Sequence, residues 1–219
     1  VVLFERSPQL GGLLWEAVKS PLKADLQKYL DWSIRMTTRN KNIDLRIGTE
    51  ATGKLIAEEQ ADALILATGG SPVIPKLTCQ DESRVIWVGD VDKSNVQVGN
   101  NVLIAGAGLT GCEAALRFIQ SGKKVTLIDA LPKEQLGSGS SPINAYALFT
   151  ILTESNVDIR TQTKLVDVMQ DYAIVVKGGR EDRLIFDTVI LSLGTKVDTE
   201  AIKQLRTAVA ECYVVGHSN

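Results

Sequence analysis

Between Val102 and Ile119 an apolar run, Val102-Leu103-Ile104-Ala105, leads straight into Gly106, Gly108 and Gly111, and helical spacing follows in Cys112, Ala115, Leu116 and Ile119. A buried strand, a glycine turn and an amphipathic helix in that order leave few folds open. The arrangement that uses all three is the first half of a parallel βαβ unit built to take a dinucleotide. Gly106 permits the tight turn, Gly108 lets the backbone approach a pyrophosphate, and Gly111 permits close contact between helix and strand. The diphosphate is then expected over the helix N-terminus, where unpaired N–H groups and the helix dipole favour negative charge. A glycine turn alone would be ordinary. Here a second apolar run, Val125 to Ile128, ends in the acid Asp129, close to the spacing of about 20 residues expected of a ribose-binding carboxylate. An acid at that place accepts from both ribose hydroxyls and repels a 2′-phosphate, which predicts NADH over NADPH. Ala130-Leu131-Pro132 offers no arginine to reverse this, and Lys133 is the nearest cation.

The chain is also internally repeated. Asn42-Ile43-Asp44-Leu45-Arg46 resembles Asn156-Val157-Asp158-Ile159-Arg160, and Ala63 to Gly69 resembles Thr188 to Gly194. Val2-Leu3-Phe4-Glu5 followed by Gly11-Gly12 echoes Thr126-Leu127-Ile128-Asp129 followed by Gly137 and Gly139. Glu5 thus takes the place of Asp129. At the spacing that separates Gly106 from Asp129, its glycine turn would fall before Val1, so the first half is expected to lack an opening strand, turn and helix.

The fold class predicted is α/β, with short apolar strands alternating with amphipathic helices. Strands are expected at Val1 to Phe4, Ile43 to Ile47, Ala63 to Ala67, Val102 to Ala105, Val125 to Ile128 and Val189 to Leu193. Helical spacing recurs in Leu22, Leu26, Tyr29, Leu30 and Ile34, and in Ala147, Leu148, Ile151 and Leu152. Two Rossmann-like three-layer dinucleotide-binding domains follow: residues 1–80 with 207–219, truncated at the N-terminus, and residues 81–206. The second is expected to hold a small antiparallel meander, from Leu165 to Met169, Tyr172 to Lys177 and Arg183 to Phe186, turning at Gln170-Asp171 and Gly178-Gly179.

Bulk properties exclude more than they assign. A net charge of −2 with scattered lysines and arginines gives no field for a nucleic acid. No apolar run approaches the roughly 18 to 20 residues of a membrane span, and a cytoplasmic location is expected. Cys79, Cys112 and Cys212 are isolated, and His217 is the one histidine, so neither a CxxC pair nor a metal-ligand set is expected.

Taken together, Glu5 with Leu10-Gly11-Gly12, Ala67-Thr68-Gly69, the Gly106 to Gly111 turn, Asp129, Leu193-Gly194 and Tyr213-Val214-Val215-Gly216 resemble the two-dinucleotide-domain flavoproteins that include glutathione and thioredoxin reductases. In detail the chain is similar to the C-terminal region of NADH oxidases, 2,4-dienoyl-CoA reductases and trimethylamine dehydrogenase, which are old-yellow-enzyme-like NADH:flavin oxidoreductases. The resemblance implies FAD, or ADP alone, in the first half and NAD(P)H in the second, with electrons passing on to a 4Fe-4S cluster and FMN in an N-terminal barrel of the same polypeptide. It implies cofactor-binding roles for Glu5, Arg6, Gly11, Gly12, Leu13, Ala51, Thr68, Gly69 and Gly216. In the second half it implies them for Gly106, Gly108, Leu109, Thr110, Gly111, Asp129 and Gly194. No acid, base or nucleophile is assigned, because the cofactors carry the chemistry. One departure is that Gly216-His217 stands where the family has Gly-Asp. Besides nucleotides and the barrel, self-association is left open as a partner. A nucleotide-binding scaffold and a stand-alone disulfide reductase are the alternatives, the latter lacking its paired cysteines.

Overall fold

The computed structural model describes residues 1–19, 23–78, 81–91, 96–137, 141–155 and 157–216. Leu22, Cys79, Gly139, Asn156 and His217 lie outside the described residues. In chain order the first elements are β1 (Val2–Glu5), α1 (Leu14–Ala17), α2 (Ala24–Arg39), β2 (Asp44–Ile47), α3 (Gly53–Glu58), β3 (Ala63–Leu66) and β4 (Ser71–Pro72). Next come β5 (Val85–Trp87), β6 (Asn101–Ala105), α4 (Leu109–Gln120), β7 (Lys124–Ile128), α5 (Pro142–Glu154) and β8 (Asp158–Arg160). The last are β9 (Thr163–Val168), β10 (Tyr172–Lys177), β11 (Arg180–Ile185), β12 (Thr188–Leu191), β13 (Thr195–Lys196), α6 (Thr199–Arg206) and β14 (Glu211–Val214). The chain is α/β, with a parallel sheet and a small antiparallel one. Among the described residues no helix is long and apolar enough to cross a membrane.

Two compact units divide the chain, residues 1–71 with 195–219 and residues 72–194. The second is a five-stranded parallel sheet in the order β5-β12-β6-β7-β8. Its central strands are covered on both faces, which is why they read as unbroken apolar runs rather than alternating ones. Alternation survives in where the side chains go. Val102 and Ile104 of β6 pack with Cys112, Ala115 and Leu116 of α4 and Leu148 and Leu152 of α5. Leu103 and Ala105 pack instead with Val168, Ala173, Val175 and Leu184 of the meander and with Phe186. Helices, sheet and meander make the three layers.

The meander's last hairpin turns on Gly178 and Gly179, both at positive φ (57° and 78°). Two such residues make the tight turn that matches strand twist, so Lys177 pairs directly with Arg180. β11 therefore starts at Arg180 rather than Arg183. β12 stops at Leu191 rather than Leu193: the Ser192 N–H still reaches Ala105 O at 2.8 Å, but beyond that β6 has already turned at Gly106.

The first unit holds two parallel pairs, β1 with β2 and β3 with β14. Its core joins Ile56 of α3 and Leu66 of β3 to Ile202 and Leu205 of α6. α6 buries its apolar stripe on this core and belongs to the compact unit of residues 1–71 with 195–219.

The repeat is preserved in register. Phe4 pairs with Arg46 as Ile128 pairs with Arg160. Thr49 N–H donates to Glu5 O at 2.9 Å as Thr163 N–H donates to Asp129 O at 2.7 Å. Arg46 bonds Asp44 at 2.8 Å, and Arg160 bonds Asp158 at 2.9 Å.

Candidate functional site

In the second unit β6 lies between strands reached in opposite directions: the chain goes on to β7 on one side and returns as β12 on the other. Parallel sheets open a crevice at such a reversal, outside the strands' C-terminal ends. The glycine turn sits there. Gly106 has φ +106°, and a Cβ on it would lie 2.1 Å from Ser192 O. A Cβ on Gly111 would lie 1.9 Å from Gly106 O. Both positions are closed to any side chain by neighbouring backbone.

Gly108 is different. It is the N-cap residue of α4 with ordinary backbone angles (φ −67°, ψ 178°), and no side chain caps the helix. Where its Cβ would stand there is nothing within 4 Å. The N-terminus of α4 thus has no side-chain cap from Gly108, and the space beside that glycine is open, as a phosphate at a helix N-terminus would require. Leu109 is half-buried at the start of the helix and Thr110 is exposed beside it. Gly194, at φ +80° with open surroundings, lies just past the end of β12.

Asp129 closes onto this turn. Its Oδ2 accepts from Ala107 N–H at 2.6 Å and its Oδ1 from Leu131 N–H at 2.8 Å. Each oxygen keeps a further lone pair, so the carboxylate is braced yet can still accept two hydroxyls. The Ala107 carbonyl takes Gly137 N–H at 3.2 Å and Cys112 Sγ at 3.4 Å. The turn is thereby fixed through the N–H and the carbonyl of Ala107, in two consecutive peptides. Sequence reading missed the Leu131 N–H and the Gly137 latch, because every residue has a backbone N–H and only Gly137's place in the repeat marked it.

Cys112 is 1% exposed. Burial first, then the charges of Asp129 and Glu113, push its thiol up from 9.0 to about 12. The folded state keeps that proton between roughly pH 9 and 12 while the unfolded chain releases it, so this contribution to stability falls as pH rises through the window. The expected slope is about 1.4 kcal/mol per pH unit. Urea titrations at pH 8, 9, 10 and 11 check it: the decline should be shallower by that amount in Cys112→Ala than in the parent.

In the first unit, the candidate residues lie at or beyond strand ends. Glu5 ends β1, and its Oε1 accepts from Ser7 N–H at 2.8 Å and Ser7 Oγ at 2.6 Å. Arg6 beside it is exposed. Gly11, at φ +123°, faces Trp15: a Cβ there would lie 2.6 Å from Trp15 Nε1 and 2.9 Å from Leu30 Cδ1. Trp15 Nε1 donates to Leu10 O at 2.8 Å, so this glycine serves the packing of a half-buried indole. Gly12 (φ +51°) has open surroundings, and Leu13 is exposed at the start of α1. Ala51 packs on the core of Ile56 and Leu66. Thr68 and Gly69 (φ +66°) follow β3, and Gly216 (φ +67°) follows β14, both glycines opening onto free space.

A family model described as "Pyridine nucleotide-disulphide oxidoreductase" matches residues 12–215. The NADH oxidase of Thermoanaerobacter brockii is 28% identical over 222 residues, covering 99% of this chain and 34% of its own. The cinnamate reductase of Clostridium sporogenes is 24% identical over 220 residues, covering 100% of this chain and 33% of its own. Among solved structures, a 2-naphthoyl-CoA reductase in complex with 2-naphthoyl-CoA superposes with a TM-score of 0.79 at 24% identity, over 100% of this chain and 33% of that one. That likeness establishes the fold. The chain spans about a third of the length of the curated relatives it matches.

Proposed function

Because this chain belongs to the pyridine nucleotide-disulphide oxidoreductase family, we propose that its second unit is the NADH site of an NADH-dependent flavin oxidoreductase. One observation carries the reading: Asp129 is bonded at 2.6 Å to the peptide N–H of Ala107, inside a turn whose Gly108 face is open. On this reading diphosphate and ribose lie side by side. The uncapped N–H groups at Leu109, Thr110 and Gly111 would hold the diphosphate, and the spare lone pairs of Asp129 would hold the ribose hydroxyls.

Charge decides between the two nicotinamide cofactors. A 2′-phosphate would meet the Asp129 carboxylate. Arg160, at the end of β8, is bonded to Asp158 at 2.9 Å and lies 3.5 Å from Asp182, so its charge is already shared with two carboxylates. NADH and FAD, when bound, supply the hydride chemistry. What this chain's residues do is bind, orient and hold the turn rigid, and no side chain of its own need act as acid, base or nucleophile.

The first unit is read as the FAD site of the intact protein, or an ADP site, with Glu5, Gly12, Thr68, Gly69 and Gly216 around the nucleotide. An FMN and 4Fe-4S region in an N-terminal barrel of the same polypeptide would take the electrons onward. The threefold greater length of relatives such as NADH oxidase and cinnamate reductase supports a further region of the polypeptide.

The test is a fluorescence titration of the 219-residue chain with NADH and with NADPH. NADH is expected to bind about tenfold or more tightly, which corresponds to roughly 1.4 kcal/mol of discrimination. Equal affinities, or a preference for NADPH, overturn the assignment of Asp129.

A further inference from the structure

The loop that follows each acid is repeated bond for bond. In the second unit Asp129 Oδ1 accepts from Leu131 N–H at 2.8 Å, Leu131 O from Gln162 N–H at 3.0 Å, and Asp129 O from Thr163 N–H at 2.7 Å. In the first unit Glu5 Oε1 accepts from Ser7 N–H at 2.8 Å, Ser7 O from Gly48 N–H at 3.0 Å, and Glu5 O from Thr49 N–H at 2.9 Å. Gln162 therefore takes the place of Gly48, and Leu131 that of Ser7. Gly48 and Gln162 are both left-handed, at φ +69° and +52°.

That conformation suits glycine and strains a residue with a Cβ. Among the described residues one other non-glycine adopts it, Gln60 at φ +50°. Gln60 sits just past the C-cap of α3, where helices commonly end in a left-handed residue. No helix end accounts for Gln162. Nor does its side chain compensate the fold: it is exposed, and among the described residues its carboxamide has no hydrogen-bond partner. Strain kept without benefit to the fold is a mark of function.

The place of Gln162 decides which part of a ligand it meets. Asp129 is bonded on one side to the glycine turn, through Ala107 N–H, and on the other to Leu131 N–H. With its diphosphate at the turn and its ribose on Asp129, a dinucleotide carries its adenine past Asp129, to the side of Leu131 and Gln162. Leu131 is 41% exposed and offers the base an apolar face. The carboxamide of Gln162 offers an N–H donor and an oxygen acceptor, and the edge of adenine presents a partner for each. We infer that Gln162 is a cofactor-binding residue, held in a strained backbone so that its carboxamide meets the adenine of the dinucleotide. The inference rests on the NADH reading for where the adenine lies, and adds to it a contact that does not depend on the 2′-position.

The test titrates the full 219-residue chain and its Gln162→Gly, Gln162→Ala and Gln162→Asn variants with NADH, NADPH and ADP-ribose, and follows the urea unfolding of each. Gln162→Gly should raise the urea midpoint, since glycine is unstrained there, yet weaken all three ligands about tenfold. Gln162→Ala should weaken them by the same factor with no gain in midpoint. Gln162→Asn keeps a carboxamide and tolerates the left-handed region, so it should recover part of the lost affinity. Because adenine is common to the three ligands, the ratio of NADH to NADPH affinity should stay at the parent value in every variant, unlike in substitutions of Asp129. A Gln162→Gly protein that binds like the parent overturns the inference and leaves the NADH reading standing. A midpoint that does not rise with glycine, or an affinity lost with glycine but kept with alanine, overturns it as well. A parent chain that binds none of the three ligands overturns this inference and the NADH reading together, whereas one that binds them without preferring NADH overturns the assignment of Asp129 alone.

Discussion

Gly106→Val is expected to destabilise the second unit by about 4 kcal/mol, combining backbone strain at positive φ with overpacking, each worth roughly 1–3 kcal/mol. The cause is local and backbone-borne. At φ +106° a Cβ would sit 2.1 Å from Ser192 O and 2.7 Å from Ser192 C, and neither atom can step aside without moving the end of β12, whose Thr188 to Leu191 are all buried. Gly108→Ala supplies the contrast. Its backbone angles suit alanine, its Cβ meets nothing within 4 Å, and its stability should stay within about 1 kcal/mol of the parent. It should nonetheless bind NADH more weakly, because the methyl group enters the face assigned to the diphosphate. Urea unfolding of both variants, with NADH titration of Gly108→Ala, checks the pair. A Gly108→Ala protein that binds NADH like the parent would move the diphosphate elsewhere.

That contrast also shows what was legible in the sequence. The three glycines of the turn share one motif, but their physical duties separate only when their surroundings are known: two are walled by backbone and one is open. The central strands were readable because burial on both faces leaves unbroken apolar runs, and the meander was readable from Gly178-Gly179. The repeat was readable because each half keeps an acid at a strand end (Glu5, Asp129), the same Asp-x-Arg strand and a glycine after the matching later strand (Gly69, Gly194). The membership of α6 was not. Ile202 and Leu205 form an apolar stripe that would fit either unit, and only the core of Ile56 and Leu66 decides it. Likewise Gly11 and Gly12 are adjacent glycines of equal promise in sequence, yet Trp15 fills the space beside one and leaves the other open.

Asp129 tests whether the carboxylate recognises a ribose or only braces the turn. Asp129→Ala removes the acceptor of Ala107 N–H and of Leu131 N–H, and a partly buried donor left unpaired costs about 1–3 kcal/mol. A stability loss of roughly 2 kcal/mol is therefore expected in either case. The cofactors separate the two roles. If the carboxylate accepts the ribose hydroxyls, NADH loses bonds to a charged acceptor and should weaken about 30- to 100-fold, or roughly 2–3 kcal/mol. NADPH, which the same charge repels, gains relief from that repulsion and should weaken much less, so the preference for NADH collapses. Asp129→Asn, neutral but with one acceptor oxygen left, should fall between. Dissociation constants for both cofactors on the three proteins decide it: if NADH and NADPH weaken by the same factor, Asp129 holds the turn in shape and discrimination comes from another residue.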